Sequence, residues 1–118
     1  MCTPALDPVL RKDGSYPSGH VAIGWGWALL LAEVDPEHAE AILARGRAFG
    51  ESRMICNVHW ASDVEEGRTM AAATAAKLHA QAELRADIEA ARAEVVALRA
   101  RGLAPSRDCV KETAQLKP

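Results

Sequence analysis

Two histidines, a carboxylate and an arginine stand in two short blocks whose residue types suit phosphoryl transfer. The first block is Pro17-Ser18-Gly19-His20, and the second runs Ser52-Arg53-Met54-Ile55-Cys56-Asn57-Val58-His59-Trp60-Ala61-Ser62-Asp63. Moving a phosphoryl group requires donors around its equatorial oxygens, an in-line nucleophile and an acid for the leaving oxygen. Ser18 and Gly19 open an apolar run. A helix starting there would turn free N–H groups and the positive end of its dipole toward an anion, with the Ser18 hydroxyl as a further donor. Arg53 brings a planar guanidinium fork that matches two phosphate oxygens, as lysine would not. His59 and Asp63 are four apart, so a helix beginning early would put them on one face. The carboxylate would then hold one ring nitrogen and leave the other free as a nucleophile. His20, in the first turn of its own helix, is placed to act as general acid.

Each of these residues also has a plainer reading. Pro-Ser-Gly-His alone is an ordinary turn and cap. His59 with Asp63 can equally be a capping pair or half of a zinc site. A zinc site would need further ligands, and His38 and His79 fall in segments that read as helix surface, while no Cys-x2-Cys occurs. Trp25 and Trp27 read as core and not as a substrate platform. No metal and no cofactor is assigned, because Arg53 and helix N–H groups can supply the charge stabilisation.

The elements that must position these groups are helical throughout, and the expected fold class is all-α. Residues 1–16 hold two prolines and the turn cluster Lys12-Asp13-Gly14-Ser15, so they read as an extended lead-in. Ser18 is the predicted cap of a helix from Gly19 to about Glu33. Its apolar residues surround the circumference, as in a helix buried on most sides. Asp35-Pro36 starts a second helix, with Ala39, Ile42, Leu43, Gly46 and Phe49 on one face and a bend or break expected near Gly50. Ser62 is the predicted cap of a third helix, which continues through Met70-Ala71-Ala72-Ala73-Thr74-Ala75-Ala76, where small side chains permit close approach. Residues 81–101 repeat Leu84, Ile88, Ala91, Val95 and Leu98 as a narrow stripe. Docking on the same domain is favoured over a dimerising coiled coil. Gly102 ends that helix, and 102–118 read as a tail. The core domain is thus 17–101.

Composition narrows the function classes. The chain has 118 residues and is 49% hydrophobic, enough for one small domain. Its 14 basic and 16 acidic residues give a net charge of -2, which argues against nucleic acid as a partner. The apolar run Val21–Val34 is too short to span a bilayer, so no membrane span is expected. Three cysteines, Cys2, Cys56 and Cys109, allow one bridge and one free thiol. The sequence does not choose among the three pairings; Cys56 reads as a buried thiol, which leans toward Cys2 with Cys109 in an oxidising compartment.

The wording of the two blocks resembles the PAP2-type phosphatases, specifically the class A bacterial non-specific acid phosphatases. Their pattern runs Lys-x6-Arg-Pro, then Pro-Ser-Gly-His, then Ser-Arg-x5-His-x3-Asp. The later two blocks match without a gap, and the flanks Arg11–Tyr16 and Val21–Trp25 extend the likeness over about residues 2–100. The resemblance implies a PAP2-like helical bundle that hydrolyses phosphomonoesters through a phosphohistidine. His59 would carry the phosphoryl group, His20 would protonate the leaving group, Asp63 would hold His59, and Arg53, Ser18 and Gly19 would bind phosphate. It also implies a periplasmic location. No Lys-x6-Arg-Pro precedes Pro17, so an N-terminally truncated domain is expected. Losing one such donor costs about 10²–10³ in rate, so turnover should be impaired. Exposed apolar surface should then favour self-association, giving a possible homo-oligomer. Two other readings stand beside this one: a non-catalytic helical remnant that binds phosphate or self-associates through 81–101, and a vanadate-dependent haloperoxidase using His59 to hold vanadate.

Overall fold

The computed structural model describes residues 2, 4–103 and 106–115, and within them every regular element is a helix. A 3-10 turn at Pro4–Leu6 leads into α1, Asp7–Leu10; α2 is Gly19–Val34; a second 3-10 turn, Pro36–His38, leads into α3, Ala39–Ile55. Then follow α4, Ala61–His79, α5, Ala82–Ala100, and α6, Cys109–Gln115. The all-α expectation holds. No described helix is long and apolar enough to cross a membrane.

α2 is the centre of the bundle, packed against α3, α4 and α5. Its start is set by Ser18, whose side-chain oxygen accepts from the Val21 N–H at 3.3 Å. Val21 and Ala28 of α2, Val64 and Ala71 of α4, and Ile88 of α5 form the buried apolar core. So small a core depends on close backbone approach, and glycines supply it. A methyl added at Gly46 of α3 would lie 2.5 Å from the Ala28 Cβ, and one at Gly67 of α4 would lie 2.8 Å from the Ser18 carbonyl oxygen.

Several sequence expectations change here. The lead-in is not extended throughout, because Asp7-Pro8 puts proline in the first turn of a short helix and Arg11 closes it with an ion pair to Asp7 at 2.6 Å. α3 shows no break at Gly50. That glycine is buried, and an added Cβ would touch Val21, Val64 and Arg68 within 3.5 Å, so its small size serves helix contact. Ser62 is not the cap of α4. The helix starts two residues earlier, with Trp60 as N-cap and Asp63 as the carboxylate that reaches back to it. α2 is not enclosed on most sides either. Ile23, Trp27 and Leu31 are 60%, 67% and 51% exposed, and their spacing of four places them in one bare stripe. Trp27 is therefore surface, while Trp25 is half-buried beneath the Arg47 and Arg68 guanidinium groups.

α5 packs on its own chain, as its stripe predicts, with Ile88 buried and contacts to α2 and α4. Polar anchors fix its height. Arg92 donates from Nε and Nη2 to the Glu33 carbonyl at 3.1 and 2.8 Å, satisfying a carbonyl at the end of α2. Arg99 pairs with Asp35 and Glu37 at the α2–α3 corner, and His79 meets Glu33 at 2.7 Å. Gly102 ends the element at a φ of 63°, a left-handed stop that glycine tolerates. The tail expected after it carries α6, which touches the bundle through the Arg45–Glu112 ion pair.

The contact of Gly67 with the Ser18 carbonyl and the Val21 Cβ generates a test. Gly67→Ala should lower stability by about 1–3 kcal/mol despite alanine's better helix propensity, because the methyl meets backbone that cannot move freely. Gly14→Ala, with nothing within 4 Å of the new methyl, is the control. Equal melting temperatures for the two variants would show that the α2–α4 approach is not tight.

Candidate active site

The two motif blocks meet at one end of the bundle, where the N-termini of α2 and α4 lie side by side. The Ser18 N–H donates to the Asp63 carbonyl at 3.0 Å, so the loop that ends in Pro17-Ser18 is tied directly to the first turn of α4. Ser18 is fully buried. Its side chain serves first as the cap of α2, and the Val21 N–H is consumed by it. Gly19 and His20 are exposed at the same turn, and the N–H groups of these first helical positions have no acceptor within the helix. The N–H groups left open at this end of α2 are thus those of Gly19 and His20, with the buried Ser18 beneath them.

Asp63 organises the opposite side. Its Oδ2 accepts from the Trp60 N–H at 3.0 Å and lies 3.3 Å from Nδ1 of His59. The Ser62 hydroxyl lies 3.4 Å from Oδ1. Burial by itself pushes the Asp63 carboxyl up, but the Trp60 N–H, the Ser15 side chain and His59 together bring it below the ordinary carboxylate value. The ionised carboxylate favours the tautomer in which Nδ1 carries hydrogen and donates to Asp63. Nε2 of His59, which has no hydrogen-bond partner among the described residues, is then left with its lone pair. The expected pairing of His59 and Asp63 is present, by a different route from a shared helix face. His59 precedes the N-cap of α4, and the carboxylate reaches it by turning back from the third helical position.

The ring of His59 stands 6.3 Å from that of His20, centroid to centroid, with the planes inclined by 59°. A group bound at the α2 N-terminus would therefore have an imidazole from each block beside it. The two rings face different spaces. His59 borders an open cleft of about 270 Å³ lined also by Asp7, Leu10 and Arg11 of the N-terminal segment, whereas His20 borders an apolar groove with Ile23, Trp27 and Phe49.

Arg53 comes from the last turn of α3 and is half-buried. Among the described residues no carboxylate pairs with it. Its guanidinium lies 5.0 Å above the Phe49 ring, a contact that keeps the positive charge without neutralising it. The chain then reverses at Asn57, whose φ of 56° is left-handed. The Asn57 N–H closes on the Met54 carbonyl at 2.8 Å and the Val58 N–H on the Arg53 carbonyl at 3.1 Å. This helix-ending turn brings His59 back beside the end of α3, and asparagine is one of the few non-glycine residues that tolerate it. The sequence reading passed over Asn57. Its position four residues after Arg53 and two before His59 was the available signal.

Cys56, at the C-cap of α3, is bonded to Cys2. That corrects both the expected Cys2–Cys109 pairing and the reading of Cys56 as a buried thiol; Cys109 is free and exposed. The bridge ties the start of the chain to the turn that carries His59, across 54 residues of sequence. Elsewhere, among the described residues, Asp35, Glu37 and His38 hold ligand atoms within 4.8 Å of one another. The Arg99 guanidinium already pairs with both acids and meets His38, which makes this an ion-pair cluster.

Comparison with known proteins places this helical chain in a family. Residues 2–86 match the family model described as PAP2 superfamily, and the chain belongs to that superfamily. It is 52% identical over 95 residues to an acid phosphatase of Zymomonas mobilis subsp. mobilis, a span that covers 80% of this chain and 36% of that protein. It is 47% identical over 90 residues to a non-specific acid phosphatase of Providencia stuartii, covering 76% of this chain and 36% of the relative. A non-specific acid phosphatase of Salmonella typhimurium is 51% identical over 77 residues, 65% of this chain and 31% of its own length. The chain thus spans about a third of the length of these relatives.

The lowered carboxyl of Asp63 gives a pH test with a definite sign. A group whose native value is depressed stabilises the fold above its unfolded value, near pH 3.9, and loses that contribution as pH falls through the native value. Asp63→Asn should therefore melt earlier than the parent at pH 7, with the gap closing as the pH falls below about 4. A gap that stays constant from pH 7 to pH 2.5 would show that the carboxylate charge contributes nothing.

Proposed function

We propose that this chain carries the phosphoryl-transfer half of an acid phosphatase, hydrolysing phosphomonoesters through a phosphohistidine at His59. The observation that carries the reading is the His59–Asp63 pair, 3.3 Å apart, with the His20 ring 6.3 Å from that of His59 at the N-terminus of α2. The similarity to acid phosphatases over most of this chain supports it. The phosphoryl group would sit against the Gly19 and His20 N–H groups, with Arg53 on its equatorial oxygens. Nε2 of His59 attacks phosphorus, the bond to the alcohol oxygen breaks, and His20 gives that oxygen its proton. Water then attacks phosphorus while His20 takes a proton back, which cleaves the P–N bond and releases phosphate. Asp63 stabilises the imidazolium character that develops on His59.

Ser18 acts here as the support of the anion site, because its buried side chain already caps α2. A periplasmic location is part of the same reading and rests on the resemblance to class A enzymes, with the Cys2–Cys56 bridge in keeping with an oxidising compartment. The Lys-x6-Arg-Pro block does not occur before Pro17. Those two cations would complete the charge on the phosphate.

The nucleophile is tested by trapping. Brief exposure to a labelled phosphomonoester, followed by denaturation, should leave acid-labile phosphate on the parent chain and none on His59→Ala. Label on a serine, or unchanged turnover in His59→Ala, would overturn the assignment.

The role of His20 predicts a dependence on the leaving group. His20→Ala should slow alkyl phosphates far more than activated aryl phosphates, by about 10²-fold or more, since an activated phenolate leaves without a proton. Equal losses on both substrate types would mean that His20 supports structure instead.

A further inference from the structure

We propose that Ser52 is a positioning residue for the phosphate-binding guanidinium of Arg53, an assignment that rests on the phosphatase reading of the site. Ser52 is half-buried on the last turns of α3. Its hydroxyl donates to the Phe49 carbonyl at 2.6 Å, which commits the only hydrogen that oxygen carries and aims its lone pairs away from the helix. Those lone pairs receive Arg53 Nε at 3.1 Å and Nη2 at 3.0 Å. Two donors of one rigid plane held by one oxygen set both the tilt and the height of the guanidinium.

Phe49 supplies the second constraint. Its ring lies 5.0 Å beneath the guanidinium, and it is seated against α2 where Gly24 leaves room, a Cβ at that position falling 2.6 Å from the ring. Arg53 is thus referenced to the helix that carries His20 through Phe49, and to its own helix through Ser52. Such referencing matters because among the described residues no carboxylate holds Arg53. Without Ser52 the long side chain would sample several rotamers and lose entropy on binding phosphate. An acidic partner in place of the hydroxyl would hold the fork equally well but cancel its charge. A neutral acceptor orients the cation and leaves Nη1 and the second hydrogen of Nη2 for the anion.

The test is a double-mutant cycle read by the affinity for inorganic phosphate, with KM and kcat for an aryl phosphate beside it. Ser52→Ala should weaken phosphate binding and raise KM about tenfold, the scale of one hydrogen bond to a charged group. The pH profile should keep its shape, because neither histidine is disturbed. Ser52→Thr, which keeps the hydroxyl, should restore most of the affinity. In an Arg53→Ala background, Ser52→Ala should have no further effect, since the guanidinium it orients is gone. A Ser52→Ala variant with parental phosphate affinity, or one whose loss persists in Arg53→Ala, would overturn the proposal. Side-chain NMR of Arg53 gives a readout independent of turnover. The Nε–H should be protected from exchange in the parent and Ser52→Thr chains and unprotected in Ser52→Ala; equal exchange in all three would also overturn it. If the parent chain neither binds phosphate nor hydrolyses any ester, the phosphatase reading fails, while the NMR comparison still decides whether Ser52 holds the guanidinium.

Discussion

Asp63 is the residue on which the arrangement of the site depends. Its backbone carbonyl receives the Ser18 N–H, and its carboxylate receives the Trp60 N–H and faces His59. One residue therefore joins the two motif blocks, starts α4 and orients the candidate nucleophile. These tasks are compatible because they use different atoms. Burial of the carboxylate is costly, and the hydrogen bonds from Trp60, Ser15 and His59 more than offset it in favour of the charged form. A serine or asparagine could cap α4, but neither would place a negative charge behind the imidazole.

That single junction works only because the helices bearing it come unusually close. Gly67 leaves room for the Ser18 carbonyl across the α2–α4 contact, and Gly50 lets α3 approach Val21 and Val64. The small residues thus act at a distance of one or two turns from the chemistry. They decide how far the N-termini of α2 and α4 and the C-terminus of α3 stand from one another. The buried core is small, while the stripe of Ile23, Trp27 and Leu31 remains bare.

The charges of the site are distributed with some economy. Arg53 is supported by a hydroxyl and an aromatic ring, neither of which consumes its charge. Other arginines in the chain are used in the opposite way. Arg99 is paired with Asp35 and Glu37, and Arg92 with Glu89 and the Glu33 carbonyl, so their charge goes into joining helices. The Arg99 contact holds the Asp35 carboxyl below its usual range. This contrast in partners separates Arg53 from the helix-joining arginines more clearly than residue type does.

Local chemistry in the sequence determined the helical class, the Ser18 cap, the docked stripe of α5 and the six residues that could act on phosphate. The first three follow from patterns a few residues long, an apolar period or a capping hydroxyl, and the six residues from two blocks that stand at the spacing of the phosphatases they resemble. Whether those patterns meet in space is another matter. The sequence placed the α4 cap at Ser62, expected a break at Gly50, paired Cys2 with Cys109 and buried Trp27; the structure puts the cap at Trp60, runs α3 unbroken to Ile55, bonds Cys2 to Cys56 and exposes Trp27. The cap turns on Asp63, three residues from Trp60, but the other three turn on neighbours distant in the chain. Glycine inside a helix reads as weakness until a second helix needs the room, and a cysteine in an apolar run reads as buried until another thiol arrives. An apolar face reads as core unless the partner that would cover it is known. Tertiary structure alone decided that the Ser18 N–H would find the Asp63 carbonyl, because long-range contacts are chosen by the shape and packing of whole helices and leave no periodic trace in the chain.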